Sequence, residues 1–260
     1  MSLPLQDRHA VVTGGSRGIG AAVARRFAAQ GASVTVIGRT PAPLSALADK
    51  LSEQHGRPMH AAPADVTDGA AVTRAVASAR EALGPVAILV NNAGAVESAP
   101  FLSLTEARWR ALLDVNLTSA FLCTQAALPD MLETGWGRVV NVASVAGVTG
   151  VPYVAAYVAA KHGLVGLTRS LAVEVARKGV TVNAVCPGYV DTDLVATSVT
   201  ALHDQTGRPE ADLRDALVRH NPVGRMLTPD EVASSVAWLC HPEQAMVTGH
   251  TLMLSGGEVF

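Results

Sequence analysis

The stretch His9-Ala10-Val11-Val12-Thr13-Gly14-Gly15-Ser16-Arg17-Gly18-Ile19-Gly20 decides the fold. Its first five residues are a β-rich apolar run, and an Ala-rich helical stretch, Gly18 to Gln30, begins at its end. Between them the glycines permit positive φ and let the backbone approach an anion closely. A helix N-terminus beyond such a turn presents free N–H groups and a positive dipole end, the combination that binds phosphate. The spacing departs from G-x-G-x-x-G, so the reading rests on the place of the turn between a first strand and a first helix.

Outward from this turn, strand and helix alternate to the end of the chain. Expected strands are Ser33 to Ile37, Met59 to Ala62, Val86 to Val90, Arg138 to Val142, Val180 to Cys186 and His250 to Leu254. Helices are expected at Ala42 to Glu53, Gly69 to Leu83, Glu106 to Glu133 and Tyr153 to Lys178. Ser103-Leu104-Thr105-Glu106 matches a capping box, and Thr228-Pro229-Asp230-Glu231 joins a cap, an N1 proline and an N3 acid. Such alternation, with right-handed crossovers, predicts an α/β fold: one Rossmann-type, doubly wound parallel sheet of about seven strands with helices on both faces. Residues 1–260 read as one domain. Asp191 to Arg225 breaks the alternation; it is polar, carries Gly207, Pro209 and Pro222, and is expected to hold one or two short helices as a substrate lid.

Composition limits the partners. The net charge of −2 disfavours a nucleic-acid surface or a polybasic anchor. Met1 to Arg8 has no apolar signal core, and no apolar run reaches the roughly 20 residues of a bilayer span. Cys123, Cys186 and Cys240 form no metal or redox spacing; reduced thiols, a cytoplasmic location and no metal are expected.

Tyr157 and Lys161 stand four apart, on one face of a helix. An ordinary phenol titrates near 10, and an adjacent ammonium lowers that value toward useful acid–base chemistry. The alternative is a surface Tyr–Lys pair.

Taken together, Thr13-Gly14-x-x-x-Gly18-Ile19-Gly20, Asp65-Val66, Asn91-Asn92-Ala93-Gly94, Asn116, Ser144, Tyr157-x-x-x-Lys161 and Pro187-Gly188 occur in an order that resembles the short-chain dehydrogenase/reductase family. The match covers nearly the whole chain. The resemblance implies hydride transfer between a nicotinamide dinucleotide and a carbonyl or alcohol carbon. It implies that Tyr157 moves the proton, that Lys161 tunes it and binds the ribose, that Ser144 bonds the substrate oxygen, and that Asn116 anchors a water chain. Cofactor contacts implied are Gly14, Ser16, Arg17, Gly18, Ile19 and Gly20 at the pyrophosphate, Asp65 and Val66 at the adenine, Asn91, Asn92, Ala93 and Gly94 along the groove, and Pro187, Gly188, Val190 and Thr192 at the nicotinamide end.

An NAD site usually ends the second strand with an acid. Here Gly38 holds that place, followed by Arg39, with Arg17 in the glycine turn; two guanidiniums suit a 2′-phosphate, so NADP(H) is expected. Arg39 packing on the adenine, with NAD(H) as cofactor, stays open. The segment Tyr157 to Asp193 resembles 3-oxoacyl thioester reductases of fatty-acid and polyketide synthesis, which implies a substrate on coenzyme A or on an acyl-carrier protein. Glu133-Thr134-Gly135-Trp136 lacks the base that helps dock a carrier, although Lys178 is near. Arg208, Arg214, Arg219 and Arg225 could meet an acidic substrate. The alternatives are an NAD(P)-dependent dehydrogenase of a secondary alcohol, sugar or 3-hydroxyacyl-CoA, and a dinucleotide sensor without turnover. Family resemblance implies a homotetramer, and Ala120, Ala126, Leu167 and Leu171 hint at a buried helix–helix interface.

Overall fold

The computed structural model describes residues 3–258; the outermost positions of the expected 1–260 unit lie outside them. One sheet of seven parallel strands runs β3-β2-β1-β4-β5-β6-β7. The strands are β1 His9–Thr13, β2 Ser33–Gly38, β3 Met59–Pro63, β4 Ile88–Asn91, β5 Gly137–Val142, β6 Val180–Pro187 and β7 Thr251–Leu254. Helices α1 Gly18–Ala29, α2 Pro41–His55 and α9 Pro229–Cys240 cover one face, where Phe27, Leu44, Val232 and Val236 are buried with Val12, Val34 and Val90. Helices α3 Gly69–Leu83, α5 Ser119–Thr134 and α6 Ala155–Val175 cover the other, through Val76, Met131 and Val175 against Val11, Leu89 and Val182. Strand order reverses between β1 and β4, so their carboxyl ends open the crevice in which such sheets bind ligands.

The expected elements form, with instructive shifts. β4 starts at Ile88 because the Val86 amide donates to the Asp130 carboxylate (2.8 Å) instead of to a neighbouring strand. The long helix is two, α4 Glu106–Leu113 and α5, joined by a π-helical turn at Asp114–Thr118. Its expected capping box is corrected: Ser103 ends a separate 3₁₀ turn, and Thr105 caps α4 by accepting from the Arg108 amide. The box at Thr228 forms with both of its bonds. Tyr153 cannot begin α6, since its φ of +66° is left-handed and its carbonyl accepts from the Ala99 amide. The 191–225 stretch holds two helices, α7 Asp193–Thr206 and α8 Glu210–Val218.

One further expectation is corrected. One continuous helical stretch, Glu106–Thr134, is long and apolar enough by length and composition to cross a membrane (mean hydropathy 1.3). In this fold its Cys123, Ala127 and Met131 are buried against the sheet. Ala120 is buried and Ala126, Leu167 and Leu171 are partly buried against the core, and Phe121, Leu132 and Val173 are large apolar residues exposed on the same helices. Cys123, Cys186 and Cys240 are free and buried.

At the amino end of the sheet, Arg138 is 2% exposed and donates to the carbonyls of Gly137 and Pro242. Its guanidinium and that of Arg8 both lie over the Trp136 ring. Burial lowers its pKa, and it is sealed away from any docking partner.

His9, the first residue of β1, is buried and bonded to the Gly84 carbonyl (2.8 Å) and the Thr35 hydroxyl (2.9 Å). The carbonyl takes the ring N–H, which leaves the other nitrogen to accept from Thr35 and keeps the ring neutral. Burial accordingly holds its pKa below 6.5. A depressed pKa favours the folded state while the ring is neutral, and this contribution is lost as pH falls below 6.5. Denaturant unfolding of wild type and His9→Leu at pH 7 and pH 5 should show the wild type losing up to about 1.4 kcal/mol per pH unit more than the variant. Parallel losses would refute the assignment.

Candidate active site

The crevice opens at the carboxyl edge of the sheet. Thr13, the last residue of β1, accepts through its hydroxyl from the amides of Asn92 (2.9 Å) and Ala93 (3.1 Å). The Asn92 side-chain amide returns to the carbonyls of Thr13 (2.9 Å) and Gly14 (3.2 Å). This lacing draws the two chains so close that a β-carbon at Gly14 would sit 2.9 Å from the Asn92 amide nitrogen and 3.1 Å from Ala93 Cα. Gly14 also has a φ of +63°, so glycine is required there on both counts. Asn92 therefore shapes the turn. Asn91, expected along the groove, points into the core instead: its amide donates to Thr124 and Asn141. Thr13, read from the sequence as the end of a strand and the start of the glycine motif, is also the link between β1 and β4, which periodicity could not reveal.

The residues fit a dinucleotide. Helix α1 begins at Gly18 with no side-chain cap at Arg17 and no acid in its first turn, so its N–H groups face the crevice without an internal anion. Thr192, at the start of α7, stands across from this turn: its Cγ2 would be 3.4 Å from a β-carbon at Gly18. Ser16 is half-buried, whereas Arg17 and Arg39 are exposed. Asp65 folds its carboxylate back on the amide and hydroxyl of Thr67; those bonds first, and the Arg39 charge after them, hold its pKa below the usual carboxylate range. Val66 is buried beside it. Pro187 ends β6, the Gly188 amide donates to Leu254, and Val190 bridges to Leu227.

Asn116 and Lys161 meet at Gly94, Tyr157 lies beside Lys161, and Ser144 is bonded to Tyr157. Asn116 sits in the π turn, where the widened backbone frees the Leu112 carbonyl; its amide donates to that carbonyl and to Ala95, and its oxygen accepts from the Ala95 amide. A β-carbon at Gly94 would lie 2.7 Å from Asn116 Oδ1 and 3.7 Å from Lys161 Nζ. Ser144 follows β5 and caps a 3₁₀ turn, its hydroxyl accepting from the Ala146 amide at 3.1 Å and bonding the Tyr157 phenol. Lys161 is 4% exposed; its ammonium donates to the Val142 carbonyl at 2.8 Å and lies 5.5 Å from the centre of the Tyr157 ring. Burial brings the Lys161 pKa down to about 8, and nearby Cys186 opposes this.

The expected lowering of the phenol does not occur in the chain itself. Burial raises the Tyr157 pKa, and the Ser144 hydrogen bond only partly offsets it. The physical reason is geometric: the ammonium is directed at Val142, while the phenol loses water without a paired cation. Of the segment arginines, Arg214 pairs with Asp191 and Arg225 with Glu231, so two of the four expected substrate cations are already held by carboxylates. No cluster of three or more metal-ligating side chains occurs among the described residues.

With this geometry in view, comparison with known proteins is decisive for the family. The model of the family described as short chain dehydrogenase matches residues 8–202. The chain is 34% identical over 257 residues to 3-oxoacyl-[acyl-carrier-protein] reductase FabG of Aquifex aeolicus, covering 99% of each chain. It is 39% identical over 256 residues to D-beta-hydroxybutyrate dehydrogenase of Cupriavidus necator, covering 98% of this chain and 99% of the other. A crystal structure of actinorhodin polyketide ketoreductase with NADPH superposes with a TM-score of 0.92 at 37% identity, covering 99% of both chains. The chain belongs to the short chain dehydrogenase family and is an NAD(P)-dependent oxidoreductase acting on CH–OH or C=O groups.

Proposed function

We propose that the protein reduces a 3-oxoacyl thioester, carried on coenzyme A or an acyl-carrier protein, to the 3-hydroxyacyl form with NADPH. The observation that carries this reading is the linked group of Ser144 bonded to Tyr157, Tyr157 beside Lys161, and Lys161 with Asn116 at Gly94. NADPH supplies the hydride when bound. Gly14 to Gly20 with Thr192 would hold its phosphates, Arg17 and Arg39 the 2′-phosphate, Asp65 and Val66 the adenine, and Pro187, Gly188 and Val190 the carboxamide end. Tyr157 donates the proton to the substrate oxygen. A phenol held above its ordinary value stays protonated at neutral pH, the form that a reduction requires of its acid. Ser144 bonds the same oxygen, since its hydroxyl is already bonded to the phenol. Lys161 supplies a fixed positive charge below about pH 8 and a donor for ribose hydroxyls. Asn116 holds Ala95 and with it the wall of the groove, from which it would also anchor a proton-relaying water. The 191–225 segment covers the substrate.

The thioester assignment is supported by the identity to FabG and the likeness to the polyketide ketoreductase. The identity to a hydroxybutyrate dehydrogenase keeps a second reading in view, oxidation of a secondary alcohol by the same residues in reverse. Exposed Phe121, Val173, Trp238 and Met246 support a homotetramer, and Glu133 to Trp136 without an exposed base favours the coenzyme A thioester over the carrier-bound one.

Purified protein should oxidise NADPH with acetoacetyl-CoA; tight NADPH binding without turnover on any carbonyl compound would overturn the reading. Arg39→Ala should weaken NADPH by roughly ten- to hundredfold while sparing NADH, and equal losses would remove the 2′-phosphate role. Tyr157→Phe should lower turnover by at least about 10²-fold with nucleotide binding intact. Lys161 has a folded pKa below its unfolded value, so wild-type stability gains from its deprotonation as pH rises above about 8. Relative to Lys161→Met, the nucleotide-free wild type should therefore become more stable between pH 7 and pH 9.5. A constant difference across that range would contradict the buried charge.

A further inference from the structure

The carboxyl end of the chain meets both roots of the 191–225 segment. After β7, Gly256 and Gly257 turn with φ values of +61° and +91°. Gly256 lies on the side-chain amide of Asn221: a β-carbon there would overlap Oδ1 and stand 2.7 Å from Cγ and 2.9 Å from Nδ2. A β-carbon at Gly257 would stand 3.2 Å from Cγ of Pro222. Asn221 itself organises the turn that leaves α8. Its amide donates to the Arg225 carbonyl (2.9 Å), its oxygen accepts from the Val223 amide (2.8 Å), and its carbonyl accepts from Gly224 (2.9 Å). That turn leads to Leu227, whose amide donates to Tyr189 and whose carbonyl accepts from Asp191. The opposite root begins at Gly188, which donates to the Leu254 carbonyl (2.9 Å). A β-carbon at Gly188 would stand 3.7 Å from Ser255 Cα and 3.9 Å from a Glu258 carboxylate oxygen.

We infer that Asn221 is a positioning residue for the reaction: wedged under Gly256–Gly257, its amide fixes the exit of the segment to the same chain end that fixes its entrance at Gly188. Segment 254–258 thus acts as a common seat. The two helices between the roots share few anchors with the core; only Val199 and Leu213 of α7 and α8 are buried apolar side chains among the described residues. Their placement is therefore set at the roots. The inference rests on the reading of 191–225 as the substrate cover.

The test uses Gly256→Ala, Asn221→Ala and the double variant in the full-length protein. Each single variant should raise the KM for acetoacetyl-CoA about tenfold with NADPH affinity unchanged, and should speed limited proteolysis within 193–218. Because the two residues act as one contact, the double variant should be no worse than the worse single variant. Proteolysis at the wild-type rate in both single variants, or additive effects in the double variant, would overturn the inference. Faster, non-additive proteolysis with an unchanged KM would uphold the common seat and overturn the substrate-cover reading instead. If Gly256→Ala does not fold, Asn221→Ala alone decides, since Asn221 lies at the surface end of the turn and Gly256 keeps its conformation.

Discussion

The hydroxyl of Thr13 and the amide of Asn92 hold the structure's working end together. Between them they make five hydrogen bonds across the carboxyl ends of β1 and β4, the two strands at which sheet order reverses. An open parallel sheet leaves a crevice there because successive crossovers run to opposite faces. Without the lacing the crevice would be a loose gap between two loops. With it, the glycine turn, the Asn92–Gly94 wall and the N-terminus of α1 form one rigid corner. The requirement for glycine at position 14 follows from the closeness that these bonds impose.

The second constraint is a buried charge. Lys161 is almost fully enclosed, with a carbonyl rather than a carboxylate as its partner, and its pKa falls to about 8 in consequence. Burying an ammonium on these terms disfavours the folded state at neutral pH. Arg138, at the other end of β5 from the Val142 carbonyl that Lys161 meets, is also buried without a carboxylate, but carbonyls accept from its two terminal nitrogens and Trp136 stacks on it. The contrast is chemical. Arg138 closes the bottom of the sheet, whereas Lys161 keeps a single anchor and faces Gly94, so a ligand's hydroxyls can complete its shell. Perturbed groups of this kind gather where chemistry is done.

Much of this was legible in the residues. Alternation of strand and helix, the turn after His9–Thr13 and the four-residue spacing of Tyr157 and Lys161 lead to the sheet and to the tyrosine–lysine pair, since periodicity and i,i+4 geometry are local properties. What was not legible is tertiary. Asn91 and Asn92 are adjacent and alike, yet one side chain enters the core and the other laces the turn, because strand neighbours point to opposite faces. The π turn at Asn116 exists because a side chain finds Ala95, 21 residues away. Ser103 lost the cap to Thr105 because a preceding 3₁₀ turn captured it.

By itself, then, the sequence determined the order of elements, the class of sheet, the glycine turn after β1 and the pairing of Tyr157 with Lys161 on one helix. These rest on interactions between residues close along the chain. The tertiary structure alone decided the sign of the Tyr157 shift, the isolation of Lys161 and the seating of the 191–225 segment on residues 254–258. Each depends on desolvation or contact between segments far apart in sequence, and burial is a property of the assembled fold that no local pattern encodes.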